Sequence, residues 1–125
     1  MQKNFLDFIA LNKLVSEHGK ILLGVSGGID SMVMVDLFIK SGFNFAIAHC
    51  NFDLREKESE DDERFVRKYA AKNKLPFFSK KFKTGEFASA KGLSIQMAAR
   101  KLRMNWMQEI ADQERFCCIA MAHHQ

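Results

Sequence analysis

The segment Ser26-Gly27-Gly28-Ile29-Asp30-Ser31 concentrates residue types that handle phosphate. Gly27 and Gly28 lack a Cβ, so the backbone can turn sharply there and approach an anion closely. Where such a loop runs into a helix, the first N–H groups are unpaired and the dipole end is positive. With the Ser26 and Ser31 hydroxyls as further donors, these features make a nest for phosphate oxygens. Asp30 would repel phosphate on its own, and it makes sense if Mg²⁺ bridges it to the phosphates. Neither GxxxxGK[ST] nor GxGxxG occurs, so the lysine that grips β- and γ-phosphates in the first pattern is missing. A loop that holds pyrophosphate without that lysine suits nucleotidyl transfer, in which pyrophosphate leaves. The plainer alternative is an ordinary strand–helix turn with a capping serine. The SGGIDS run between an apolar strand and a buried helix argues against it.

The elements around the loop must hold it at a sheet edge. Ile21 to Val25 is a short continuous apolar run, as expected of a central strand covered on both faces. Ser31 to Ile39 reads as a helix that is apolar nearly all round, and is therefore well buried. Asn44 to His49 reads as a second strand and Leu75 to Lys81 as a third, with Pro76 at its start where a missing N–H does least harm. Phe116 to Met121 reads as a fourth. Between them, Ser59-Glu60-Asp61-Asp62 resembles a capping box that opens a helix with Phe65, Val66, Tyr69 and Ala70 toward the core. A looser stretch holds Thr84-Gly85 and Lys91-Gly92. Ser94 then caps a long helix with a core stripe of Ile95, Ala98, Ala99, Leu102, Trp106 and Ile110. An amphipathic helix over Asn4 to His18 precedes everything.

Strands alternating with helices imply parallel crossovers and a doubly wound α/β sheet, formed by one domain over residues 1–125. Ligands of such sheets bind beyond the carboxyl ends of the strands. Three polar segments should converge there: Ser26 to Ser31, His49 to Asn51, and Ala122-His123-His124. Arg100 and Arg103 are three apart on the long helix and can reach a common target. Taken alone, they read as two snorkelling surface arginines ahead of a phosphate clamp.

Composition narrows the class. With 47% hydrophobic and 27% charged residues and one proline among 125, the chain suits a soluble globular domain. Its apolar runs are too short to span a bilayer and no secretory pattern opens it, which points to the cytoplasm. Cys50, Cys117 and Cys118 include no CxxC pair, so neither zinc nor an iron–sulfur cluster is signalled. The three histidines His49, His123 and His124 have no recognisable metal-ligand spacing either. The net charge of +4 is uneven, with eleven basic residues and one acid, Glu86, from Arg67 to Arg103. Such a stretch fits either an RNA footprint or solvated helix and loop faces, and Lys80, Lys81 and Lys83 flanking the third strand read as surface charges ahead of RNA contacts.

SGGIDS resembles the SGGxDS signature of the N-type ATP pyrophosphatases, the PP-loop superfamily, which includes GMP, NAD and asparagine synthetases and several tRNA-modifying enzymes. AHCNFDLREKESEDDERFV (Ala48 to Val66), SIQMAARKLRMNW (Ser94 to Trp106) and IAMAHHQ (Ile119 to Gln125) narrow the resemblance to the tRNA(Ile)-lysidine synthetases. The resemblance runs from about Ile21 to the last residue. It implies a Rossmann-like fold of the adenine nucleotide alpha hydrolase type, here truncated and without the family's tRNA-binding C-terminal domains. It also implies ATP and Mg²⁺ as cofactors, with tRNA(Ile) and free lysine as substrates. The implied reaction adenylates C2 of the anticodon cytidine and releases pyrophosphate; the lysine ε-amino group then displaces AMP. Carried onto this chain, the catalytic positions are Asp30, Arg100, Arg103 and His123. The cofactor-binding positions are Ser26, Gly27, Gly28, Ile29, Asp30, Ser31, His49 and Asn51, and Asp30 is the metal ligand.

Phe52 and Asp53 stand where that family commonly has a second histidine before Leu-Arg, so no role resting on that histidine transfers. The sequence stops at Gln125, just before an expected acidic pair. The expectation is therefore a fragment that is inactive alone, with an open sheet edge that favours self-association into a homo-oligomer. Two alternatives remain at this point. One is another PP-loop tRNA-modifying or amide-forming synthetase, and the other is a non-catalytic ATP-binding module.

Overall fold

Strands and helices alternate as β1 (Ile21–Val25), α1 (Ile29–Lys40), β2 (Phe45–Asn51), α2 (Lys57–Lys72), β3 (Phe77–Lys81), α3 (Thr84–Lys91), α4 (Ile95–Glu114) and β4 (Cys118–Ala122). This computed structural model describes residues 20–54 and 57–122. The expected helix over Asn4 to His18 lies outside the described residues, as do His123 and His124. The four strands form one sheet in the order β3-β2-β1-β4. Every pairing is parallel, with Leu23 opposite both Ile47 and Ala120, and Ala48 opposite Phe78. β1 is therefore interior, as its unbroken apolar run requires.

Alternation along the strands divides the core in two. Ile21, Leu23 and Val25 of β1 and Phe45 and Ile47 of β2 face α1 and α2, where Val35, Phe38, Val66 and Ala70 meet them. Leu22, Ala46 and Ala48 face the other way, onto Met107 and Ile110 of α4. Helices thus cover both faces, which makes the sheet doubly wound. Phe38 anchors the first layer, with its ring 5.4 Å from Phe43 and 5.3 Å from Phe45. Truncating a buried phenylalanine of this kind to alanine costs about 3–5 kcal/mol.

Several local expectations need correction. The stretch from Thr84 to Lys91 is helical, and Lys91-Gly92 is its terminus. Gly92 takes φ 66° and its N–H reaches Ala88 O and Ser89 O. A left-handed glycine at that position closes a helix as readily as it marks a loop. α2 begins at Lys57, so Ser59 lies inside the first turn and does not cap it. Phe65 is 51% exposed, because the buried stripe of α2 runs through Val66 and Ala70. Ile95, at the first position of α4, is also exposed. Ser94 does cap α4, its Oγ accepting from Met97 N at 3.1 Å.

Candidate functional site

The chain leaves the carboxyl end of β1 at Ser26 and enters α1 at Ile29. Gly28 is the N-cap, with φ −74° and ψ 168°, and no side chain caps the helix. The first amide groups of a helix have no intrahelical acceptor, so an uncapped N-terminus is a ready anion site. Gly27 is required twice over. Its φ is 97°, and a Cβ there would lie 3.3 Å from Asp62 Cβ and 3.4 Å from Val66 Cγ2. α2 therefore packs directly against the turn of the loop, through Asp62.

The serine hydroxyls shape this loop. Ser31, which is buried, donates from Oγ to Gly28 O at 2.9 Å and accepts from Gly27 N at 3.1 Å. Ser26 Oγ donates to Ser31 Oγ at 3.2 Å and accepts from Gly28 N at 3.3 Å. The hydroxyl hydrogens expected to face phosphate are thus used inside the loop. That leaves the anion-binding role to the start of α1 and to Ser26, which is exposed and can rotate. Asp30 sits in the first turn of α1, where a carboxylate is favoured by the helix dipole. Ile29 is 84% exposed at the mouth of the loop.

Beside the loop, a cavity of about 200 Å³ opens over the ends of β1, β2 and β4. Val25, Ser26, His49, Cys50, Asn51, Phe52, Leu54, Ser59, Asp62, Arg103 and Met121 are among the residues that line it. His49 is buried, and its Nδ1 lies 2.8 Å from Val25 O. Asn51 is also buried, but its polar atoms are engaged by the protein. Its Nδ2 donates to a Glu60 carboxylate oxygen and, at 3.5 Å, to Glu63 Oε1, while its Oδ1 accepts from Asp53 N at 2.9 Å. Asn51 staples the end of β2 to α2 and holds the turn in which Asp53 takes φ 55°. Phe52, which lines the cavity, stacks on Phe82 at 5.7 Å, and Trp106 meets Phe82 edge-on at 5.9 Å behind it.

The two arginines part company. Arg103 lines the cavity, and its Nε is buried without a hydrogen-bond partner among the described residues. Arg100 is exposed and lies outside the lining. Three residues of helix amount to roughly 4.5 Å of rise and about 60° of rotation, enough to separate them. Burial pushes the Cys50 thiol up to about 12 against the opposing pull of the Arg103 guanidinium, so Cys50 stays protonated. Among the described residues no three His, Cys, Asp or Glu side chains cluster as a metal site, and no helix is long and apolar enough to cross a membrane.

Asp62, Ser59, Phe52 and Leu54 were not marked by the sequence as site residues. Asp62 was hidden in an acidic run that reads as an ordinary helix start. Only the packing of α2 against Gly27 singles it out.

Residues 1–125 match the family model described as a PP-loop domain. The chain is 38% identical over 125 residues to the tRNA(Ile)-lysidine synthase of Bacteroides thetaiotaomicron, an alignment covering 100% of this chain and 29% of that protein. It is 37% identical over 118 residues to the enzyme of that name from Parabacteroides distasonis, covering 94% and 27%. With the one from Petrotoga mobilis the figures are 39% over 127 residues, covering 98% and 40%. The chain thus spans 27% to 40% of the length of these three relatives.

Proposed function

The chain belongs to the PP-loop family, and from that premise we propose that it is the ATP-binding domain of a cytoplasmic tRNA(Ile)-lysidine synthase, the name its relatives carry. The observation that carries the reading is the Gly27-Gly28 turn, which enters an uncapped α1 directly beside a cavity lined by His49 and Arg103. In this reading the β- and γ-phosphates of ATP lie on the start of α1, and the nucleoside and the α-phosphate lie over the cavity. Arg103 brings a guanidinium to the wall of the cavity, a planar fork that suits the oxygens of a reacting phosphate.

Asp30, a carboxylate in the first turn of α1 beside the phosphate loop, is the residue that would hold Mg²⁺. Bound there, the ion would neutralise charge on the leaving pyrophosphate. The cytidine C2 oxygen bonds to the α-phosphorus as pyrophosphate leaves. The lysine ε-nitrogen then bonds to C2, AMP departs with that oxygen, and the amine gives up a proton. The protein contributes position above all, holding an unstacked base in line with the α-phosphate.

The test is pyrophosphate release by the full-length protein. Release from ATP should require both tRNA(Ile) and lysine for turnover to lysidine. Release that proceeds with another RNA, or with ammonia or a sulfur donor in place of lysine, would assign the domain to a different PP-loop enzyme. Binding of ATP without any release would make it a non-catalytic module.

A further inference from the structure

Lys81 lies outside the lining of the cavity, yet it touches both segments that build one of its walls. It ends β3 in register with Asn51, the last residue of β2, and Phe82 N donates to Asn51 O at 2.8 Å. Residues paired in this way point to one face of a sheet, so Lys81 and Asn51 both face α2. Lys81 Nζ is 3.9 Å from Glu60 Oε2 on α2 and 3.8 Å from Asp53 Oδ1 in the turn after β2. Asn51 closes the circuit, since its Nδ2 donates to the same Glu60 oxygen and its Oδ1 accepts from Asp53 N at 2.9 Å. Phe52 and Leu54 flank Asp53, Ser59 and Asp62 flank Glu60, and all four line the cavity.

Two features give this ring its weight. The buried residues of α2 are Val66 and Ala70, so the turns ahead of them, which carry Ser59 and Asp62, are tied to β2 and β3 by polar contacts. Asp53 holds φ 55°, a conformation unfavourable for a residue other than glycine, and its contacts with Asn51 and Lys81 offset that cost. Resting on the ATP reading above, we propose that Lys81 is a positioning residue that clasps the turn at 52–54 to the start of α2. The clasp sets the shape of that wall before the nucleotide arrives, so that binding need not order it. Exposed ion pairs are individually weak, and the fold as a whole hardly depends on them. The wall does, because one ammonium serves both of its segments.

Amide hydrogen exchange in the full-length protein reads the clasp directly, because Asp53 N is bonded within the ring. In Lys81→Gln, exchange over residues 52–60 should quicken about 3- to 10-fold, the opening expected from losing both exposed pairs, while the thermal transition moves little. The KM for ATP should rise about 2- to 5-fold with kcat within about twofold, since a wall that is open part of the time lowers apparent affinity. Lys81→Arg keeps the charge and the reach, and should restore both readouts. Asp53→Asn breaks the ring from the other side, and the double variant should behave as Lys81→Gln alone. If Lys81→Gln does not fold, Asp53→Asn carries the test. Unchanged exchange and KM in the folded variant, or effects that add in the double variant, overturn the proposal and leave the ATP reading standing. So does a Lys81→Gln that loses about one unit of salt dependence in RNA binding at unaltered ATP affinity, which would make Lys81 a phosphate contact. Wild type that neither binds ATP nor releases pyrophosphate overturns the ATP reading, and with it the claim that the clasp shapes a nucleotide site.

Discussion

Asn51→Ala should destabilise the protein by about 2–3 kcal/mol while leaving the chemistry of the phosphate loop in place. The magnitude follows from three bonds of unequal weight. The bond from Nδ2 to Glu60 is charge-assisted, a type worth about 1.5–3 kcal/mol, but Glu60 is half-exposed and lies 3.9 Å from Lys81 Nζ, so the low end applies. The bond to Glu63 is at its limit of length, and Glu63 keeps Arg67 at 3.0 Å, so little is lost there. The bond from Asp53 N to Oδ1 is neutral and near the surface, and contributes about 0.5–1 kcal/mol. Asn51→Asp preserves the shape and reverses the logic by setting a carboxylate against Glu60 and Glu63. Burial and like charge raise the new group's folded pKa above its unfolded value. Its penalty is therefore fully present above the folded pKa and is relieved as pH falls toward the unfolded value. Urea unfolding of wild type and both variants at pH 7 and pH 5 measures all of this. An alanine variant within about 0.5 kcal/mol of wild type would refute the staple. An aspartate variant whose deficit is the same at both pH values would refute the proximity of the two glutamates. A loss of ATP affinity with no loss of stability would return Asn51 to the nucleotide-contact role expected from the sequence.

Three further outcomes are expected. Asp30→Ala in the full-length protein should abolish pyrophosphate release yet leave metal-free ATP binding unchanged or tighter, since the carboxylate repels phosphate when no cation intervenes; near-normal turnover would remove the metal role. Neutralising Lys80 and Lys83 should weaken tRNA binding and flatten its dependence on salt by about one unit of slope for each phosphate that is no longer neutralised. Lys81 should contribute less because it lies 3.8 Å from Asp53 and 3.9 Å from Glu60, and an unchanged slope for all three would make them plain surface charge. With the Cys50 thiol pushed up to about 12 by burial, its thiolate fraction at pH 8 is on the order of 10⁻⁴, so alkylation of the native protein should spare it. Exposed Cys117 should react, and all three cysteines should react after unfolding; rapid native labelling of Cys50 would show that the cavity is wider than described.

The sheet was legible because its strands are apolar runs bounded by glycine or polar turns, and parallel pairing follows from the helices between them. Ile21 to Val25 could hardly be anything but interior. α3 was not legible, since Thr84-Gly85 and Lys91-Gly92 look like loop punctuation until Gly92 is seen to close a helix. The phosphate loop was legible from residue types alone. The internal use of the Ser31 hydroxyl was not, because which acceptor a hydroxyl finds depends on a backbone path that two glycines leave open. Asn51 was read as a ligand contact for the same reason. Its neighbours Glu60 and Glu63 lie nine and twelve residues away and meet it only once α2 packs on β2.

The same packing explains why the cavity has two chemical sides. β2 alternates, and its last residues continue the division that Phe45 and Ala46 begin. His49 and Asn51 follow Phe45 and Ile47 toward α2, whereas Cys50 follows Ala46 and Ala48 toward α4, where Arg103 influences its thiol. The cavity lies above the strand ends, so it collects both series. The α2 side contributes His49 and the Asp62 carboxylate, and the α4 side contributes the Arg103 guanidinium. The order matters because Gly27 ties the phosphate loop to the Asp62 side, while Arg103 reaches the cavity from the opposite face. In the proposed reading, phosphates at the start of α1 would lie between the two walls, with the guanidinium on the side opposite Asp62. Moving Arg103 by one helical turn would place it where Arg100 already stands, outside the cavity, which is why one of the two arginines lines the cavity and the other does not.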